Sequence, residues 1–130
     1  MIRRSILTLV AAVALAVPAA ASADPSVTRV SLAPQATFIS TQQINVELTL
    51  SCPEGLSYSA FARVLQQQGP FLQVFGSGSV NGQCTGQSQK VAVPVFAFSF
   101  PGWQLGPAIA DVSGCSFTCD TTSRAIRITL

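Results

Sequence analysis

The sequence predicts an all-β domain, a two-sheet sandwich of about seven short strands held by two disulfides. Three observations predict it. Apolar residues recur at every second position in several segments, the period of a strand with one buried face. Glycine-, proline- and asparagine-containing turn signals separate those segments, with strands recurring every ~10–15 residues. The chain of 130 residues carries 4 cysteines and only 9% charged residues.

The first residues have the pattern of a secretory signal peptide. Arg3 and Arg4 form a positive start, Ile6 to Val17 is apolar, and Ala21-Ser22-Ala23 offers a small-x-small cleavage site. Residues 1–23 are therefore expected to be removed, with export to the extracellular space. The apolar run is shorter than the ~20 residues a membrane-spanning helix needs. The remaining domain, 24–130, balances Arg29, Arg63, Lys90, Arg124 and Arg127 against Asp24, Glu47, Glu54, Asp111 and Asp120. The +2 charge of the whole chain thus belongs to the leader. Nothing basic remains to attract nucleic acid or an anionic membrane, and a monomer is expected.

The clearest strand is Ile44-Asn45-Val46-Glu47-Leu48-Thr49-Leu50, apolar and polar in strict alternation. Val91, Val93 and Val95 repeat the pattern, as do Ile126, Ile128 and Leu130. Shorter candidates are Ser26–Leu32, Tyr58–Gln66, Phe71–Gly76 and Ala108–Val112. Turns are expected at Pro53-Glu54-Gly55, Gly69-Pro70, Asn81-Gly82, Pro101-Gly102, Gly106-Pro107 and Ser113-Gly114. This layout is immunoglobulin-like. The signature of true immunoglobulin domains is missing, because Trp103 does not lie between two core cysteines and Cys52 follows a strand.

All four cysteines, Cys52, Cys84, Cys115 and Cys119, lie after the leader. Four allow three connectivities, of which Cys52–Cys84 with Cys115–Cys119 is expected, the second pair closing locally across a turn. By loop entropy the longer ring contributes about 3.7 kcal/mol and the shorter about 2 kcal/mol. A zinc site fits the spacing poorly, since the cysteines do not form two close pairs and histidine is absent.

The run V-E-L-T-L-S-C-P-E-G at 46–55, C-T-G at 84–86, K-V-A-V-P-V at 90–95, G-P-A-I-A at 106–110 and R-A-I-R-I-T-L at 124–130 resembles small secreted actinobacterial proteins of uncharacterised function. A more distant similarity of format is to the neocarzinostatin-type apoproteins. These are exported, seven-stranded, carry two disulfides and hold a small apolar chromophore in a cleft. The resemblance implies a binding role and transfers no binding residue.

Catalysis is poorly supplied. Without histidine there is no histidine-based triad or general base. Lys90 is the only lysine and reads as a solvated strand residue. Glu47, Glu54, Asp111 and Asp120 each read as turn or solvent-face residues. Gly76-Ser77-Gly78 lacks the lysine and helix of a phosphate loop. No cofactor or metal ligand set is expected.

The aromatic residues carry more information. Phe96, Phe98 and Phe100 share one register of a segment whose other register holds Val91, Val93 and Val95. Two explanations fit: a bulge near Pro94 that swaps faces, or a cleft or patch lined by some of Phe96, Phe98, Phe100 and Trp103. Phe117 sits inside the Cys115–Cys119 ring, either folded back or displayed at a rigid tip. The expectation is a secreted, non-enzymatic protein that binds an extracellular protein or envelope component. The alternatives are a carrier of a small apolar ligand and a protease inhibitor presenting the Cys115–Cys119 loop.

Overall fold

The computed structural model describes residues 27–130; the leader and its cleavage site lie outside them. Seven strands form: β1 (Arg29–Phe38), β2 (Gln43–Ser51), β3 (Ser57–Gln67), β4 (Gln73–Gln83), β5 (Gln89–Ala97), β6 (Gly106–Cys115) and β7 (Cys119–Thr129). No helix long and apolar enough to cross a membrane occurs among the described residues. The alternation read from the sequence sets the faces. Ile44, Val46, Leu48 and Leu50 of β2 point inward, with Val91, Val93 and Val95 of β5 beside them.

The strands close into a barrel in the order β1-β2-β5-β4-β3-β6-β7. This corrects the expectation of two separate sheets, and two strands that pair on both of their edges, β1 and β4, are the reason. β1 pairs antiparallel with β2 from Arg29 to Leu32, shifts register between Leu32 and Ala36, and pairs with β2 again from Ala36 to Phe38. Gln35 to Thr37 also pair in parallel with Arg127 to Thr129 of β7. Pro34 lies within that shift, and a proline cannot donate to a regular ladder. β4 pairs with β3 along its whole length and reaches β5 only through Gly76–Ala97 and Ser77–Phe96. The ring closes through two short pairings, β4–β5 and β1–β7, which join the β1-β2-β5 side to the β4-β3-β6-β7 side.

Glycine makes the β4–β5 seam close. A Cβ on Gly76 would collide with the Phe96 carbonyl and lie 2.8 Å from Trp103 Cζ2. A Cβ on Gly78 would collide with the Pro94 carbonyl. Trp103 fills the interior beside this seam, 1% exposed, and its indole N–H donates to the Val95 carbonyl at 3.3 Å. A buried indole is stable only with such a partner.

No bulge swaps faces at Pro94, since the β2–β5 register runs unbroken from Gln43–Phe96 to Leu50–Gln89. Ala97 N donates to Gln42 O and Phe98 N to Phe75 O. By alternation the Pro94 nitrogen points toward β4, ahead of the first β4–β5 pair, so no hydrogen bond is lost. Two expected turns are strand interior. Gly82 lies under the Tyr58 ring of β3, and a Cβ on Gly114 would come within 2.5 Å of Leu50 Cδ1 and Val30 Cγ2. These glycines make room for a neighbour and do not reverse the chain.

One end of the barrel is held by disulfides. Cys52–Cys84 links the β2–β3 and β4–β5 loops, and Cys115–Cys119 closes the β6–β7 hairpin, the pairing expected from the spacing. The other end is held by hydrogen bonds. The buried Gln66 side chain donates to Gln104 O and Pro107 O at 2.9 and 3.3 Å and accepts from Gln104 N at 3.0 Å. Gln68 donates to Gly102 O at 2.7 Å. Gly102, at φ +87°, brings this loop against the β1–β2 turn, and Trp103 N donates to Thr41 O at 2.7 Å.

Gly76→Val should destabilise the domain by about 1–3 kcal/mol, the usual cost of overpacking, with a larger value if the seam opens. Urea unfolding of wild type and variant checks this. An unchanged midpoint would show that the seam carries no strain from an added side chain.

Candidate functional site: an amphipathic cleft on the outer face

The β4-β3-β6-β7 layer has an inverted pattern. On β3 and β6 the inward apolar residues are small: Ala60, Ala62 and Val64 on β3, and Ala108, Ala110, Val112 and Gly114 on β6. Its outward residues include Phe61 and Leu65 on β3, Phe75 on β4 and Ile109 on β6, all exposed. Large apolar side chains normally go inside, so a cluster of them on the wet face makes it a candidate contact surface.

The strand registers arrange these residues in rows. Phe75 pairs with Leu65, Leu65 with Ile109, and Ile109 with Ala125, giving one apolar row across four strands. Phe98 extends it from the β5–β6 loop, its ring 5.4 Å from that of Phe75 in an edge-to-face contact. The next row is polar: Ser77, Arg63, Asp111 and Ser123. Arg63 Nη2 lies 4.0 Å from Asp111 Oδ2, and the Ser123 hydroxyl donates to Asp111 Oδ1. The third row combines Phe61 with Ser79, Ser113 and Thr121.

Two shallow depressions flank the Arg63–Asp111 pair. One, of about 390 Å³, is lined by Phe61, Leu65, Phe75, Phe98 and Ile109 with Gly76 and Ser77. The other, of about 410 Å³, is lined by Phe61, Ser113, Thr121, Thr122 and Ser123. Both share Phe61, Arg63 and Asp111. They form one cleft with an apolar half, a polar half and a charged pair between them. Such a surface suits a small molecule with an aromatic or aliphatic body and a hydrogen-bonding group.

Four of the five aromatics singled out in the sequence go to four places. Phe98 forms a wall of the cleft. Phe96 is outward on β5, paired with Ser77 and half exposed. Phe100 is in the β5–β6 loop, 89% exposed. Trp103 is core, correcting the expectation that it lines a surface; the space opposite Gly76 takes it inside. The sequence pattern did not single out Phe61, Arg63, Leu65 and Ile109, although Phe61 and Leu65 alternate with Ala60, Ala62 and Val64 in plain view, and Asp111 read only as a solvent-face residue.

Phe117 is displayed rather than folded back, 82% exposed at the tip of the Cys115–Cys119 loop. Ser116 N donates to Thr118 O, so this is a tight turn and not the extended segment that a protease grips. Two further polar contacts lie away from the cleft. Asp120 accepts from Val30 N at 2.8 Å at the start of β1, and Lys90 lies 3.5 Å from Glu47, both well exposed. All four cysteines are oxidised, and no cluster of three potential metal ligands occurs among the described residues. In comparisons with known proteins, the chain matches no family model and no curated relative at a significant level of similarity.

Arg63→Gln should shift stability by less than about 1 kcal/mol, because an exposed pair is screened by water. Urea unfolding measures this. A larger loss would mean that the pair supports the fold and is not free to serve a ligand.

Proposed function

We propose that this protein is an exported, non-enzymatic, monomeric carrier that binds a small amphipathic molecule in the cleft on the outer face of β3, β4 and β6. The observation that carries the reading is the unbroken row Phe98–Phe75–Leu65–Ile109 beside Arg63 and Asp111. The row provides an apolar platform, and the charged pair provides one donor group and one acceptor group for orientation. Export is supported by the leader pattern and by two disulfides, which persist in oxidising compartments. The strand order β1-β2-β5-β4-β3-β6-β7 supports a kinship of this barrel with immunoglobulin-like sandwiches as part of the same proposal. The similarity of format to neocarzinostatin-type apoproteins, which hold an apolar chromophore in a cleft, points the same way.

Native mass spectrometry of the disulfide-intact protein from its own host should show a small-molecule adduct that is lost on denaturation. The purified protein should also enhance the fluorescence of anilinonaphthalene sulfonate, an aromatic anion. The double variant Leu65→Gln, Ile109→Gln should weaken that binding about tenfold or more, by removing apolar contact at two positions that do not enter the core. No adduct and no dye binding by the wild-type protein would remove the reading.

A second reading has its own observation. Phe117 on its disulfide-clipped tip is preorganised to enter a pocket on an extracellular protein or envelope component. Phe117→Ala should then abolish capture of that partner while leaving thermal unfolding unchanged. Undiminished capture would exclude this tip as the contact.

A further inference from the structure

The end of the barrel opposite the disulfides is built from three loops. These are residues 39–42 between β1 and β2, 68–72 between β3 and β4, and 98–105 between β5 and β6. They are tied together by Trp103 N to Thr41 O, Ala97 N to Gln42 O and Gln68 Nε2 to Gly102 O. None of the three contains a charged residue. Their tips carry Phe71, 97% exposed, and Phe100, 89% exposed, with Ile39 and Leu105 each about half exposed. The nearest charged side chain by register is Arg127 on β7, opposite Pro107 at the start of β6. The chain enters the barrel at the other end, where Thr28 N donates to Thr118 Oγ1.

We propose that this end inserts into the interface of a neutral, zwitterionic lipid bilayer, docking the domain with Phe71 and Phe100 as wedges. The geometry separates this from a protein partner. The rings stand out almost completely into solvent, on two separate loops. A rigid partner would need two pockets at a fixed spacing, whereas a fluid interface receives both rings without one. Uncharged loops enter an interface without the desolvation penalty that lysine or glutamate would bring. The same absence of charge means that anionic lipid supplies no attraction, so the binding is apolar and insensitive to salt. Exposed apolar surface of this kind marks contact sites in general. The hydrogen-bond ties hold the loops in place before contact, so little ordering remains to oppose insertion.

The test uses the full disulfide-intact domain and vesicles of phosphatidylcholine, with a parallel set doped with phosphatidylglycerol. The wild type should float with both sets equally, at low and high salt. The double variant Phe71→Ser, Phe100→Ser should lose about a hundredfold or more in partition coefficient, with thermal unfolding unchanged because neither ring is in the core. Phe71→Trp should shift its emission to the blue on adding vesicles, over the constant background of the buried Trp103. Neither substituted residue lines the cleft, so dye binding there should persist in the double variant and keeps the two proposals separate. No flotation of the wild type would overturn the proposal, as would full flotation of the double variant. Flotation that requires phosphatidylglycerol and vanishes with salt would move the contact to the basic residues. Concentration-dependent self-association without lipid, lost in the double variant, would assign the surface to a second copy of the chain.

Discussion

The packing of Trp103 into the β4–β5 seam is the contact on which the rest of the molecule depends. The indole occupies interior volume next to Gly76 and hydrogen-bonds the Val95 carbonyl, so it touches both strands that must meet for the ring to close. Gly76 has no alternative there, because any side chain would have to share space with the Phe96 carbonyl and the indole. Loss of a buried tryptophan from such a position generally costs about 3–5 kcal/mol, comparable to much of a small domain's total stability. The β5–β6 loop that delivers Trp103 is itself fixed by Gln66 and Gln68, whose amides satisfy its backbone carbonyls. A buried glutamine in a strand is costly unless its groups are paired, and the Gln66 amide meets backbone groups on both its oxygen and nitrogen sides.

The outer cleft follows from the same volume constraint. The β2–β5 layer contributes leucine, isoleucine and valine to the interior, and Trp103 adds the largest side chain. A small barrel interior at close-packed density has little room left. β3 and β6 therefore turn alanine, valine and glycine inward, and Gly114 already sits against Leu50 and Val30. Their phenylalanine, leucine and isoleucine are left on the outer face. There they gain nothing for folding, so the two demands on these strands are separable. The inward register serves the barrel and the outward register is free for recognition.

Much of the fold was legible because strand alternation is a strong signal. The segment Ile44–Leu50 and the valines of β5 have the faces their period requires. The disulfide pairing followed from locality. Closure was not legible, because it depends on two short seams whose determinants are glycines at 76 and 78 and a proline at 34, residues that otherwise read as turn punctuation. Asn81-Gly82 and Ser113-Gly114 misled for the same reason: the glycine answers to a neighbouring side chain and not to a turn dihedral. The candidate cleft was hidden by an ambiguity of period two. When both registers of a strand are apolar, as in Ala60-Phe61-Ala62-Arg63-Val64-Leu65, the sequence shows two faces without saying which is inside. Size decides it, and size becomes informative only once the opposing layer is known.

The two ends of the barrel show different solutions to the same problem. Loops must be ordered if they are to present anything, and order carries an entropic cost. At one end covalent rings supply it, and the display there is a single phenylalanine on a clipped turn. At the other end glutamine amides and backbone hydrogen bonds supply it, and the display is broader, uncharged and shared by three loops. The cleft lies on the wall between them, on strands, where the scaffold is most rigid and a small molecule can be held by geometry. A domain of this size offers few surfaces. Three of them carry exposed phenylalanine, each on a differently stiffened support, and none of those rings contributes to the core.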